Sequence, residues 1–310
     1  MGPKILIVVV GPTAIGKTSL AILLAKHFHT EIISADSRQF YREMGIGTAV
    51  PSEEELRSAP HHLIQHKSIF EPYSVGDFQR EALNLLERLF DSHDILILVG
   101  GSGLYVDALV HGLDEFPKVD PGIREALGHR LRQEGLESLQ RELLQRDPEY
   151  YHKVDLGNPH RLIRALEISI GTQRPYSSFL GQSKPERPFK ALYIGLEAPR
   201  ENLYQRIDAR VDGMMESGLL GEAGKLYPHR QLNALQTVGY KELFEYLDGN
   251  CSLETAVSEI KKNSRRYAKR QLTWLRKNKN ILWVEYDTRP NTILERLTKE
   301  INSLKDAQND

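Results

Sequence analysis

Residues 11–18 read Gly-Pro-Thr-Ala-Ile-Gly-Lys-Thr, which has the spacing G-x-x-x-x-G-K-[ST] of a phosphate-binding loop, or P-loop. An apolar run, residues 5–10, precedes the loop, and a helical pattern, residues 19–28, follows it. In this order of strand, loop and helix, the loop amides and the helix N-terminus converge on one anion. The octapeptide therefore predicts an α/β fold built around a di- or triphosphate.

Two side chains of the loop have predicted roles of their own. Lys17 would reach the outer phosphates as a fixed positive charge, and the Thr18 hydroxyl would hold a Mg²⁺ ion that bridges phosphate oxygens. A plain glycine turn between a strand and a helix would explain Gly11 and Gly16 but not the adjacent Lys17-Thr18 pair. We therefore expect Mg²⁺ as the cofactor.

Composition limits the remaining possibilities. The chain has 310 residues, a formal net charge of −1 and one cysteine, Cys251. The single cysteine excludes an intramolecular disulfide framework and indicates a reducing compartment. No apolar run approaches the roughly 20 residues of a membrane span. We expect a cytoplasmic monomer without a membrane segment, in which any nucleic-acid surface is local.

Further apolar runs predict the rest of a parallel sheet. They lie at residues 31–34, 94–99, 191–196 and 281–286, and amphipathic helices are predicted over residues 75–90, from Arg200, and over residues 291–304. This repeat of strand, loop and helix is typical of P-loop NTPase-like α/β folds with right-handed crossovers.

An inserted helical domain is predicted over residues 116–187, where strand signals stop. Turn sequences bound it, from Phe116-Pro117 to Gly122 at entry and from Lys184-Pro185 to Pro188 at exit. The catalytic core is then formed by residues 1–115 and 188–310.

Asp36 is the leading candidate for a general base. It follows the second predicted strand, and ligands of open α/β sheets bind outside the carboxyl ends of the strands. A carboxylate there can accept a proton from a nucleophile held opposite the phosphates. The alternative is a turn or N-cap aspartate. Residues 100–103, Gly-Gly-Ser-Gly, end the third predicted strand at the same edge.

A basic segment near the C-terminus predicts a nucleic-acid footprint. Between Lys261 and Lys279 the chain has nine Lys and Arg residues and no acidic residue. Ile260, Tyr267 and Trp274, seven residues apart, would pack on one helix face, and Lys262, Arg266, Lys269 and Arg270 would occupy another. The alternative is a solvated basic face, which normally has compensating acids.

Two other clusters are less specific. His61, His62 and His66 suggest a metal site, but without acidic or Cys partners at ligand spacing we favour a structural role. Arg206 and Arg210, four residues apart, form a stripe beside Leu203, Ile207, Val211 and Met214.

Seven motifs together closely resemble the bacterial tRNA dimethylallyltransferases, also called tRNA isopentenyltransferases. They are GPTAIGKT at 11–18, ISADSRQFY at 33–41, MGIGTA at 44–49, GGSGLY at 100–105, NPHRLIRALE at 158–167, VGYKE at 238–242 and RRYAKRQLTWLR at 265–276. They cover nearly the whole chain in the family's order, which is far more specific than a lone P-loop.

The resemblance implies a reaction. A dimethylallyl group would pass from dimethylallyl diphosphate to N6 of adenosine 37, beside the anticodon of tRNAs that read codons beginning with U. The N6 amine is a poor nucleophile, so the leaving diphosphate must be strongly stabilised. The adenine would be extruded from the anticodon loop into a channel that leads to the P-loop.

The resemblance also implies site residues. Asp36, Lys17, Thr18 and Arg210 would carry the chemistry. The diphosphate would be held by Gly11, Pro12, Thr13, Ala14, Ile15, Gly16, Lys17, Thr18 and Arg206. The anticodon stem-loop would be contacted by Asp36, Ser37, Arg38, Gln39, Ser102, Arg124, His160, Arg161, Leu162, Ile163, Arg164, Gly239, Lys262, Arg265, Arg266, Lys269 and Arg270. Ser102 stands where the family usually has Thr, and His160 replaces a common Gln.

Three other functions remain open from the residues alone. A small-molecule kinase also combines a P-loop with an acidic residue after the second strand. An adenylate isopentenyltransferase would use the same donor on a free nucleotide. A non-catalytic RNA-binding switch would use the nucleotide only as a conformational signal. The basic segment and the predicted insertion favour the tRNA-modifying enzyme.

Overall fold

The computed structural model describes residues 2–182 and 186–306. The predicted exit turn at Lys184-Pro185 therefore lies outside the described residues. The chain divides into two compact units, Met1–His111 with Arg187–Asp310, and Gly112–Glu186. The second unit differs by only a few residues from the predicted boundaries. No helix in the described ranges has the length and apolarity that a membrane crossing requires.

The first unit is built on a parallel six-stranded sheet, which confirms the predicted fold class. Its strands are β1 (Ile5–Val10), β2 (Ile32–Ser34), β3 (His61–His62), β4 (Ile95–Val99), β5 (Lys190–Glu197) and β6 (Ile281–Glu285). Their order across the sheet is β3-β2-β4-β1-β5-β6. The sequence did not predict β3, because two residues are too few to show an alternating pattern.

The helices of the described residues follow in chain order. They are α1 (Lys17–Phe28), α2 (Glu53–Ser58), α3 (Val75–Phe90), α4 (Gly103–His111), α5 (Pro121–Glu134), α6 (Leu136–Arg146), α7 (Pro148–Tyr151), α8 (Pro159–Thr172), α9 (Arg200–Glu216), α10 (Leu219–Leu226), α11 (Tyr240–Leu247), α12 (Leu253–Leu275) and α13 (Pro290–Asp306). The predicted helix at 75–90 matches α3, which starts where Ser74 accepts the Asp77 N–H in a capping box.

The sheet is covered on both faces, so β1 is apolar at every position. Ile5, Ile7 and Val9 pack in the core that contains residues of α1, α9 and α13. Leu6, Val8 and Val10 pack on the opposite face with residues of α3 and α4. A buried parallel strand reads as a continuous apolar run for this reason. A third apolar cluster joins α10, α11 and the first half of α12.

The second unit has a core of its own. Helices α5, α6 and α8 contribute Leu127, Leu139, Leu143, Leu162 and Leu166, all buried. The buried carboxylate of Asp147 caps α7 and also accepts the Ser177 N–H and hydroxyl. Short helices with one apolar stripe each bury that stripe only by packing on one another.

Candidate active site

The carboxyl ends of three neighbouring strands meet beside the P-loop. The Ala35 N–H donates to Val99 C=O at 2.7 Å, and the Gly100 N–H donates to Val9 C=O at 3.2 Å. A Cβ on Gly100 would lie 2.5 Å from the Ala35 carbonyl oxygen, so the loops after β2 and β4 touch only because residue 100 is glycine. The sheet therefore brings residues 35–39 and 100–102 to the P-loop.

The P-loop has the backbone that its glycines predict. Gly16, at φ 108°, precedes the first residue of α1, and a Cβ on Gly11 would lie 2.9 Å from the Leu196 carbonyl oxygen. The Lys17 ammonium donates to Pro12 C=O at 2.7 Å. Pro12 has no N–H and so offers no donor to a diphosphate, which corrects the prediction for that residue. Ile15 is buried, so only its amide can take part.

The Asp36 side chain caps the turn after β2 and also lines the cavity. Its Oδ1 accepts the N–H groups of Arg38 at 2.9 Å and Gln39 at 3.3 Å. The carboxylate also lines the cavity that Lys17 lines, and its charge acts on Lys17 and Arg210. The capping role that the sequence left open is thus present, and the role of Asp36 as a base stays a prediction.

The cavity holds an excess of positive charge. Burial, with repulsion from Arg210 second, lowers the pKa of Lys17 to about 7, and Asp36 opposes this shift. Burial also lowers the pKa of Arg210, while Asp36 and Glu55 act in the opposite direction. Arg206 donates from Nε to Ala14 C=O at 2.9 Å. A bound diphosphate would favour the charged forms of Lys17 and Arg210, which otherwise have Asp36 and Glu55 as nearby opposite charges.

The cavity has a volume of about 800 Å³, within the range of small-molecule sites. Its polar side chains come from the P-loop, from residues 36–39 and from α9 and α12. The lining also includes apolar residues, here called the apolar wall, which are Ile64, Ile207, Val211, Met214, Val238 and Ile260. The sequence did not predict this apolar wall, because the α9 residues among them have the spacing of ordinary helix packing.

Tyr267 and Gln271 are site residues that the sequence also missed. The seven-residue spacing predicts packing for Tyr267, but its side chain lines the cavity. Burial, followed by the charge of Asp36, raises the Tyr267 pKa to about 12, so its hydroxyl keeps its proton at neutral pH. Gln271 stands among basic residues in the sequence and is buried. Nothing in the sequence pattern distinguished these side chains from the packed face of α12.

The predicted RNA contacts near Asp36 lie at the same cavity. Ser37, Arg38 and Gln39 line it, as does Gly239, whose φ is 99°. Ser102 is buried, and its hydroxyl oxygen accepts the Ser37 N–H at 3.0 Å. The structure brings these residues together, and their contact with RNA stays a prediction.

Helix α12 presents a basic face, as predicted, but part of it is neutralised. Lys261 pairs with Asp212 at 2.6 Å, Lys262 with Glu259 at 2.7 Å, and Arg265 with Asp208. The run from Lys261 to Lys279 has no acidic residue of its own, as the sequence shows, but acids from α9 and from the preceding turn of α12 compensate three of its cations. Arg266, Lys269 and Arg270 are exposed, and no ion pair is found for them within residues 2–182 and 186–306.

The second unit separates its predicted RNA contacts into two groups. Leu162 and Ile163 are buried in the core, so their side chains cannot contact RNA, which corrects the prediction for both. His160 and Arg161 are exposed. Arg124 and Arg164 donate to the same oxygen of buried Glu167, at 3.1 and 3.0 Å, and stay half-exposed.

The structure carries no protein-only metal site in the ranges that it describes. No group of His, Cys, Asp or Glu residues there could hold a metal ion. His62 and His66 instead pair with Glu31 and Glu81, so the acidic partners that the sequence did not predict come from distant segments. The Thr18 hydroxyl lines the cavity, which fits a Mg²⁺ ion held mainly by phosphate oxygens.

Three comparisons relate this chain to known proteins. The family model described as IPP transferase matches residues 39–278. The chain is 58% identical over 298 residues to a protein of Christiangramia forsetii named tRNA dimethylallyltransferase, covering 96% of this chain and 99% of that one. It is 55% identical over 306 residues to a protein of Flavobacterium johnsoniae with the same name, covering 97% and 99%.

Solved structures agree with these relatives. The full-length tRNA isopentenylpyrophosphate transferase of Bacillus halodurans superimposes with a TM-score of 0.75 at 38% identity, covering 99% of this chain and 100% of that one. A eukaryotic dimethylallyltransferase acting on tRNA superimposes with a TM-score of 0.81 at 28% identity, covering 97% of this chain and 80% of that one. The family match, the relatives and the P-loop cavity agree, and the chain belongs to the IPP transferase family.

Proposed function

We infer that this protein is a tRNA-modifying transferase that moves a dimethylallyl group from dimethylallyl diphosphate to an adenosine of tRNA. The observation that carries this proposal is the convergence of Lys17, Arg210 and Asp36 on one cavity that also has an apolar wall. Cations suit a diphosphate, the apolar wall suits a short hydrocarbon, and a carboxylate suits an amine that must lose a proton.

The proposed acceptor is N6 of adenosine 37, in tRNAs that read codons beginning with U. N6 attacks C1 of the dimethylallyl group, a C–N bond forms, and the bond from C1 to the diphosphate oxygen breaks. Asp36 accepts the N6 proton. Lys17, Arg210 and the P-loop amides hold the charge that develops on the departing diphosphate.

Mg²⁺ is the proposed cofactor, with the Thr18 hydroxyl as its protein ligand. When bound, it would neutralise further charge on the diphosphate oxygens. A base that is still stacked in the anticodon loop would not reach a diphosphate held by the P-loop, so the adenine would be flipped out. The exposed cations of α12 and the arginines of α8 are the proposed contacts to the anticodon stem-loop. That the enzyme works as a cytoplasmic monomer stays a prediction.

A small-molecule kinase is the closest rival, and the apolar cavity wall argues against it. A kinase would place a polar acceptor opposite the phosphates, whereas Ile207, Val211 and Met214 of α9 line this cavity. An adenylate isopentenyltransferase has no use for the exposed cations of α12.

The proposal is tested by mass analysis of nucleosides from tRNA incubated with the protein, Mg²⁺ and dimethylallyl diphosphate. We expect one new nucleoside, adenosine heavier by a dimethylallyl group, at position 37. AMP in place of tRNA should give no product. Prenylated AMP, or transfer of γ-phosphate from ATP to a small molecule, would overturn the assignment.

A further inference from the structure

Gln271 connects the P-loop to the loop that follows β4. The side chain is 7% exposed. Its Oε1 accepts the N–H of Thr13 at 2.9 Å, and its Nε2 donates to Gly101 C=O at 2.9 Å. Both partners are backbone groups, and they lie 258 and 170 residues away in the chain. A buried amide that satisfies two loops at once fixes their relative position.

Both loops lie close to the P-loop lysine, whose ammonium donates to the carbonyl of Pro12, next to Thr13. A Cβ on Gly101 would lie 3.7 Å from the Lys17 ammonium and only 2.3 Å from Gln271 Nε2. Thr13 belongs to the P-loop itself. A displacement of either loop would therefore move the surroundings of Lys17, the cation predicted to reach the outer phosphates.

We propose that Gln271 is a positioning residue for the diphosphate site, holding the P-loop at Thr13 and the β4 loop at Gly101. Both polar atoms of its side chain are bonded to backbone groups, so it would act through the backbone that binds the diphosphate. Gln271 directly follows Arg270 on α12, but Gln271 is buried whereas Arg270 is exposed. This positioning role rests on the proposed function in one respect only, the identification of the bound diphosphate as dimethylallyl diphosphate.

The direct test replaces Gln271 with Met, which keeps the length of the side chain but removes both hydrogen bonds. Titration calorimetry with inorganic pyrophosphate and Mg²⁺ should show binding weakened about tenfold, since a buried N–H and C=O are left without their partner. KM for dimethylallyl diphosphate should rise similarly, with tRNA affinity unchanged. Ser258→Ala, at an exposed position of α12, is the matched control and should behave as wild type.

A double-mutant cycle tests the geometry. Gly101→Ala places its Cβ against Gln271 Nε2 and should weaken pyrophosphate binding as Gln271→Ala does. In Gly101→Ala/Gln271→Ala the Cβ meets no side-chain amide, so the second change should add almost nothing. Additive effects of the two changes, or unchanged pyrophosphate affinity with a lowered melting temperature, would overturn the positioning role.

Pyrophosphate binding separates this proposal from the proposed reaction. If wild-type protein binds pyrophosphate but modifies no tRNA, the proposed reaction is contradicted. The pyrophosphate affinities of wild type and Gln271→Met still test the positioning role independently. If tRNA is modified normally by Gln271→Met at low donor concentration, only the positioning role is wrong.

Discussion

Asp36 shows how one side chain combines a structural and a chemical task. Its Oδ1 caps the turn through the N–H groups of Arg38 and Gln39, which holds the carboxylate at the cavity. Lys17 and Arg210 then place positive charge beside it. A side chain fixed by its own turn is presented to a reacting atom with little loss of conformational entropy.

Asp36→Asn should separate these tasks. The amide oxygen can still accept both N–H groups, so the fold and tRNA binding should be retained, while an amide cannot accept the N6 proton. We expect the rate of prenyl transfer in single turnover to fall by about 10²–10⁴, the usual contribution of a general base. Asp36→Ala is the companion variant and should also lower the melting temperature. A rate for Asp36→Asn within a few-fold of wild type would remove Asp36 from the chemistry.

His66 makes stability sensitive to acid. Burial lowers its pKa below the ordinary value, although Glu81 and Glu71 act in the opposite direction and Lys67 in the same one. The unfolded chain then binds the His66 proton more tightly than the folded chain does. The contribution of neutral His66 to the free energy of unfolding is therefore fully present above the unfolded pKa of about 6.5 and is lost as the pH falls below it. Thermal unfolding between pH 7.5 and 5.5 should show a falling melting temperature, and the fall should be shallower in His66→Gln. An equal slope in both proteins would contradict this account.

Different faces of helix α12 pack in the core, hold the P-loop through Gln271 and expose cations to solvent. Ala268, Gln271 and Leu275 are buried, whereas Arg266, Lys269 and Arg270 are exposed. Ion pairs with α9 hold Lys261 and Arg265. Cations already paired within the protein have less to gain from a phosphate, so the exposed cations define the expected RNA footprint.

Arg270→Ala should therefore weaken tRNA binding more than Arg265→Ala. Removing one cation that binds a phosphate should reduce the slope of log K against log salt concentration by about 0.7–0.9. Binding measured between about 50 and 200 mM salt should show this change for Arg270→Ala and a smaller one for Arg265→Ala. Pyrophosphate binding serves as the control and should be equal in both. A larger effect of Arg265→Ala would place the footprint on the paired cations instead.

The molecule divides its work between two units, each with its own core. Every described residue that lines the P-loop cavity belongs to the first unit. In the second unit, the buried carboxylate of Glu167 holds Arg124 and Arg164. These two arginines are predicted RNA contacts, and a common anion keeps them side by side.

Glu167→Gln should affect the second unit alone. Removing the charged partner of two half-exposed arginines should destabilise that unit by up to about 1 kcal/mol per ion pair and weaken tRNA binding. Pyrophosphate binding in the first unit should stay at the wild-type value. Hydrogen exchange would locate faster opening within Gly112–Glu186, and differential calorimetry would give the decrease in stability. Weakened pyrophosphate binding would show that the units are energetically coupled.

The sequence by itself determined the parallel α/β fold, the P-loop, the position of Asp36 and the limits of the inserted helices, because these depend on local patterns. Glycines at required backbone angles, apolar runs and turn residues are all visible within a few neighbouring positions. Tertiary structure alone decided which basic residues of α12 are paired, that Leu162 and Ile163 are buried, and that Gln271 joins two loops. Each of these depends on a partner far away in the chain, and a periodic pattern does not record which distant group a side chain meets.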